Sequence, residues 1–178
     1  MSATQELHRL SILLDSDEYD DEDEYQEVLD EYYPEVVFDT AHKAALEGSI
    51  NGMHLYGIML ANKAIEIKDQ TKDYQHLIVE AREWVAKAAK QGCMGAMEDL
   101  ASEQTELLDV PIELQLAFYK LVNADDDLEE YVAYLKDHCS YLITVEQRTK
   151  SIEIYNELVK TLEKNGVKEK KVCECIFP

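Results

Sequence analysis

The sequence predicts an all-α protein, a short α/α superhelical repeat array of antiparallel helix pairs with capping helices at its ends. Three observations predict it. Breakers are scarce, with six Gly and three Pro in 178 residues, so long helices run uninterrupted. Apolar residues recur at spacings of three and four, and no stretch shows the two-residue alternation of a strand. Finally, Lys43-Ala44-Ala45-Leu46-Glu47-Gly48 returns 44 residues later as Lys87-Ala88-Ala89-Lys90-Gln91-Gly92. The correspondence continues with Gly52 and Ala96, Met53 and Met97, Gly57 and Ala101. Self-similarity at such a period marks repeats in which each helix pair buries its apolar face on the next.

A first helix is expected over 4–14, with Leu7, Leu10, Leu13 and Leu14 on one face. Residues 15–21 read as a loop, after which Tyr25, Val28, Leu29 and Tyr32 restore helical spacing. Pro34 starts or kinks the next helix, which runs to Leu46. Helix 50–67 opens the clearer repeat, with Gly52, Tyr56 and Gly57 as close-packing positions. Beyond a polar turn at 68–73, helix 74–91 carries one stripe through Tyr74, Leu77, Ile78, Ala81, Trp84, Val85 and Ala88, which places Trp84 in the core. Gly92 stops it, because a positive φ costs glycine least.

Helix 93–104 repeats the small-residue pattern. Asp109 is expected to cap the next helix, with Pro111 in its first turn and a stripe through Leu114, Phe118, Leu121 and Val122. Asp126 caps a further helix lined by Leu128, Tyr131, Val132, Leu135, His138 and Leu142. Thr144 and Gln147 match a capping box for the last helix, which is expected to bury Val145, Ile152, Tyr155, Val159 and Leu162 before Asn165-Gly166 ends it. One repeat domain over 1–167 results, with its repeat core at about 40–124, followed by a basic tail at 168–178.

Charge narrows the function. Thirty-eight acidic residues against 17 basic ones leave −21, and 12 of those acids lie between Asp15 and Glu35 without a single basic residue. Direct nucleic-acid binding and anionic membrane surfaces are therefore disfavoured, whereas a basic protein partner is attracted and steered. Residues 1–6 lack the basic-then-apolar order of a secretory signal, and no run approaches the roughly 18 apolar residues needed to span a bilayer. Cys93, Cys139, Cys173 and Cys175 are irregularly placed and make no secreted disulfide framework. Cys93 and Cys139 read as small core residues, and a reducing cytoplasm is the expected compartment.

The run Ala81-Arg82-Glu83-Trp84-Val85-Ala86-Lys87-Ala88-Ala89-Lys90-Gln91-Gly92, followed by Ala96 and Leu100-Ala101, resembles the Sel-one-like repeat, a relative of the tetratricopeptide repeat. Trp84, Lys87, Ala88, Ala89, Gly92, Ala96 and Leu100 match that pattern, while Ala101 stands where the family has glycine. An earlier copy matches at Lys43, Ala44, Ala45, Gly48, Gly52 and Gly57, and the later pair around 117–124 is degenerate. The resemblance implies a right-handed α/α superhelix that binds proteins, and it implies no enzyme. The cysteines do not recur with the period, so the disulfide-bearing relatives are a poor fit.

The sharpest candidate binding segment is acidic and aromatic: Asp17, Glu18, Tyr19, Asp20, Asp21, Glu22, Asp23, Glu24 and Tyr25. Carboxylates interleaved with rings imitate a nucleic-acid strand, which a basic nuclease groove is built to accept. A solvated acidic loop is the plainer alternative. Calcium fits poorly, because Asp20 stands where a calcium loop needs glycine and Gln26 where it needs a glutamate. The five histidines share no metal-ligand spacing, and no nucleophile motif or glycine-rich phosphate loop occurs. No metal, cofactor or catalytic residue is expected. The expected function is protein binding, most concretely as an acidic immunity-type inhibitor of a basic, nuclease-like toxin. The alternative is a general adaptor or regulatory scaffold.

Overall fold

A computed structural model of the chain describes residues 2–13, 35–69, 74–102, 107–123, 128–139 and 143–167. The described residues form eight helices: α1 (Ala3–Leu13), α2 (Glu35–Leu46), α3 (Ile50–Ile67), α4 (Tyr74–Ala89), α5 (Met94–Ala101), α6 (Ile112–Val122), α7 (Leu128–Cys139) and α8 (Val145–Lys164). No strand occurs among them, so the all-α class holds.

The 44-residue period is written into the backbone. Gly48 and Gly92 both adopt positive φ, +91° and +96°. Each turn is closed in the same way, by Gly48 N–H to Ala45 O (3.1 Å) and Gly92 N–H to Ala89 O (2.9 Å). Ser49 and Cys93 then cap α3 and α5, accepting the N–H of Gly52 at 3.2 Å and of Ala96 at 3.4 Å. A left-handed C′ residue followed directly by an extended N-cap turns one helix sharply into the next. Two helix-to-helix corners therefore share one local design.

Among the described helices, each from α2 to α6 packs on the one before it, most extensively α4 on α3. Small residues bring these axes together. A Cβ on Gly57 would lie 2.7 Å from Val85 Cγ2 and 2.9 Å from the Ala81 carbonyl oxygen of α4. One on Gly52 would lie 2.8 Å from both the Ala44 Cβ and the Ala45 nitrogen of α2. Ala41, Ala44, Ala61, Ala81, Ala88 and Ala96 are fully buried along the same seams. The glycines expected to permit close approach do so.

The nearest-neighbour order then changes. α8 returns to pack on α6, whereas α7 touches α6 more lightly. Asn165 Nδ2 donates to the Lys90 carbonyl (2.7 Å), and Val167 covers Gly92. The C-terminal helix thus ties itself to the α4–α5 corner. At the other end, the Glu47 carboxylate accepts the free N–H groups of Ala3 (3.1 Å) and Thr4 (3.2 Å), capping α1 from the end of α2.

Three expectations need correction here. α8 buries Ser151, Leu158 and Leu162, while Val145 is 80% exposed and Ile152 faces outward. The heptad-like spacing of Val145, Ile152 and Val159 marks a line beside the true seam, which is set by how α8 lies across α6. The capping box of Thr144 and Gln147 is present as expected. Asp109 does not cap α6. It adopts a left-handed φ of +45°, Arg82 of α4 donates to its carbonyl, and Pro111 becomes the N-cap. The small-residue helix is shorter than expected, ending at Ala101 because Ser102 turns extended. Asp126 and Leu142 lie outside the described residues, as does the side chain of His138.

Candidate functional site

The acidic-aromatic segment from Asp17 to Tyr25 lies outside the described residues. Its last acidic neighbour, Glu35, does not. Glu35 opens α2 and stands on a cleft of about 700 Å³ between α2 and α3.

Helical spacing builds this cleft. Glu35, Phe38 and Asp39 fall on one face of α2, and Met59, Asn62, Lys63 and Glu66 on one face of α3. Among the described lining residues, Phe38, Met59 and Ile65 supply apolar surface, while the carboxylates of Glu35, Asp39 and Glu66 outnumber the ammonium of Lys63. That ammonium sits 5.0 Å from the centroid of the Phe38 ring. An apolar floor with an acidic rim suits a long cationic side chain, whose methylenes lie on the floor while its head meets a carboxylate.

Phe38 also begins an aromatic ridge running from α2 across α3 to α4. Its ring lies 5.2 Å from Tyr56, which stacks on His42 at 4.3 Å and 13° and meets Trp84 edge-on at 5.7 Å and 76°. Burial, aided by the negative charge of Glu80, pushes the Tyr56 phenol above its ordinary value of 10.0. Trp84 is half-buried, which corrects the core position expected for it. The fully inward line of α4 is Ala81, Val85 and Ala88, and Trp84 occupies its edge. There Lys87 covers the indole, with its ammonium 3.8 Å from the ring centroid, and Nε1–H donates to Glu80 at 3.4 Å.

A second constellation was not foreseen. Cys93 is fully buried and disulfide-bonded, so it is more than a small core residue, and its bonding partner lies outside the described side chains. Its Sγ is 3.6 Å from Nδ1 of the buried His54, whose Nε2 is 2.5 Å from Asp99 Oδ2. His54 comes from α3 and the other two from the start and middle of α5. These contacts span 39 and 45 residues, and no local motif encodes them.

Comparison of the chain with protein-family models, curated proteins and solved structures returns no match. Among the described residues, no helix is long and apolar enough to cross a membrane.

Proposed function

We propose that this chain is a protein-binding repeat domain of the Sel-one-like type, wound as a short right-handed α/α superhelix, that holds a basic protein partner. The single observation that carries the reading is the acidic-rimmed, apolar-floored cleft between α2 and α3. It adjoins in sequence the densest run of acids in a chain of net charge −21, so charge and shape point to the same kind of occupant. The repeated corners at Gly48 and Gly92 support the repeat assignment. In its most concrete form the protein is an immunity-type inhibitor that covers the substrate groove of a nuclease-like toxin. The residues from Asp17 to Tyr25 then take the place of phosphates and bases. It works in the cytoplasm on this reading, where the Cys93 bond must withstand or answer to reducing thiols. The second reading, a general adaptor, keeps the same cleft and has no toxin partner.

The test begins with the protein that co-purifies from the native cell. Titrating this chain against that partner on a labelled nucleic-acid substrate separates the two readings. An inhibitor abolishes cleavage at one equivalent, and Glu35→Gln, Asp39→Asn and Glu66→Gln together weaken the inhibition. A partner with no nuclease activity leaves the adaptor. A partner bound equally well by the triple variant moves the interface away from the cleft.

A further inference from the structure

Two Asn-Gly dipeptides occur in the chain, Asn51-Gly52 and Asn165-Gly166. The pair is chemically labile, because glycine has no side chain to shield its backbone nitrogen from the neighbouring amide carbon. The fold treats the two copies differently. Gly52 lies inside α3, packed against Ala44, with its N–H on the Ser49 hydroxyl at 3.2 Å. Asn165 and Gly166 are both exposed, at the end of α8. There the amide fastens the helix. Nδ2 of Asn165 donates to the Lys90 carbonyl (2.7 Å), reaching the α4–α5 corner from 75 residues away. Gly166 N–H donates to Glu163 O (3.0 Å) and Val167 N–H to Leu162 O (3.0 Å), the double closure of a Schellman turn with Gly166 at φ +71°. With ψ of Asn165 at 2°, Gly166 N eclipses Asn165 N, and tetrahedral geometry at Cα turns it away from the side chain. Docking thus holds the amide carbon apart from the nitrogen able to attack it.

We propose that Asn165-Gly166 is a one-way modification site, deamidated by water when the end of α8 lifts from the α4–α5 corner, and that its product cannot dock again. In the lifted state the Gly166 nitrogen gives its proton to hydroxide and attacks Asn165 Cγ. The Cγ–Nδ2 bond breaks, and Nδ2 leaves as ammonia with a proton from water, closing a succinimide ring. Water then opens the ring. Cleavage between Cγ and the nitrogen gives aspartate, and cleavage between the nitrogen and the main-chain carbonyl carbon of residue 165 gives isoaspartate. In sum, an amide and water give a carboxylate and ammonium, and no electrons change hands.

The product differs at the atom that docks. A carboxylate has no hydrogen to donate, so two acceptors face each other where Asn165 met the Lys90 carbonyl. Isoaspartate also adds a methylene to the main chain inside the Schellman turn, which moves Gly166 and Val167 off their partners. Val167, whose Cγ1 would lie 2.8 Å from a Cβ on Gly92, then leaves the corner. The modification unfastens the C-terminal helix from the repeat it closes.

The experiment incubates the full chain at mildly alkaline pH beside a free peptide of residues 161–170, and follows aspartate and isoaspartate at each site by peptide mapping. In the folded chain Asn165 converts about tenfold more slowly than in the peptide, since reaction waits on local opening, and Asn51 stays intact over the same period. Val167→Ala loosens the dock without altering the reacting atoms, and it speeds conversion at Asn165 about threefold or more. In Asn165→Asp, amide hydrogen exchange at Gly166 and Val167 quickens about tenfold, while exchange within α3 stays with wild type. Conversion of wild-type Asn165 within about twofold of the peptide rate overturns the proposal, as does none over about a hundred peptide half-times. So do modification of Asn51 ahead of Asn165, a wild-type rate in Val167→Ala, and wild-type exchange in Asn165→Asp.

Discussion

At the scale of single residues, close packing is decided by where one side chain ends and the next begins. Gly57 leaves no room for a methyl group, since a Cβ would meet both Val85 Cγ2 and a backbone oxygen of α4. The Gly57→Ala variant is expected to lose about 1–3 kcal/mol in urea unfolding, because helix backbone cannot yield as a flexible side-chain tip would. Trp84 makes the opposite case. As a half-buried ring sandwiched between Tyr56 and Lys87, it contributes less than a core indole. Trp84→Ala should cost about 2 kcal/mol, below the roughly 3–5 of a fully buried ring. A loss near the upper figure would put the indole inside the core. The stripe through Leu77, Ala81, Trp84 and Ala88 was legible in the sequence, but periodicity defines a face and not its edge. The pairing of Cys93 with His54 and Asp99 was illegible for another reason. Residues far apart in sequence meet only once the fold brings the start of α3 beside α5, and spacing along one helix carries no trace of them.

At the scale of elements, local chemistry was readable where caps decide and unreadable where packing decides. Gly92, Asn165-Gly166 and the Thr144–Gln147 box all mark helix ends by their own conformations. The face that α8 buries depends instead on its path across α6. Leu158→Ala should therefore destabilise by about 2–4 kcal/mol, while Val145→Ser stays within about 0.5. The reverse order would restore the line expected from sequence.

The attachment of α1 gives a pH-dependent case. Backbone hydrogen bonds from Ala3 and Thr4 hold the Glu47 carboxyl below its ordinary value of 4.5. A lowered folded value means stabilisation that is present above the unfolded value and is lost as pH falls through the folded one. Below about pH 4.5 the tether of α1 to α2 should weaken, visible as a fall in helical ellipticity. In Glu47→Gln that part of the pH dependence should be absent.

For the molecule as a whole, scarce breakers and helical spacing gave the all-α class, and the period gave the two like corners at Gly48 and Gly92, because self-similar segments repeat the same turn for the same local reasons. The return of α8 onto α6 and the α4–α5 corner breaks the simple stacking order, and nothing in the period announces it. The net charge of −21 is readable from composition and is the feature from which the binding reading begins. The central claim is that this charge works through named carboxylates to steer a basic partner. Surface-plasmon-resonance kinetics at two salt concentrations test it most directly, using the co-purified partner and two variants. One neutralises the cleft at Glu35, Asp39 and Glu66; the other neutralises Asp20, Asp21, Glu22, Asp23 and Glu24. Both should associate more slowly than wild type, with a shallower dependence on salt, because steering acts through the long-range field. Adding Tyr19→Ala and Tyr25→Ala to the second should speed dissociation if the rings stack as bases do. Association rates and salt slopes equal to wild type in both variants would contradict the account.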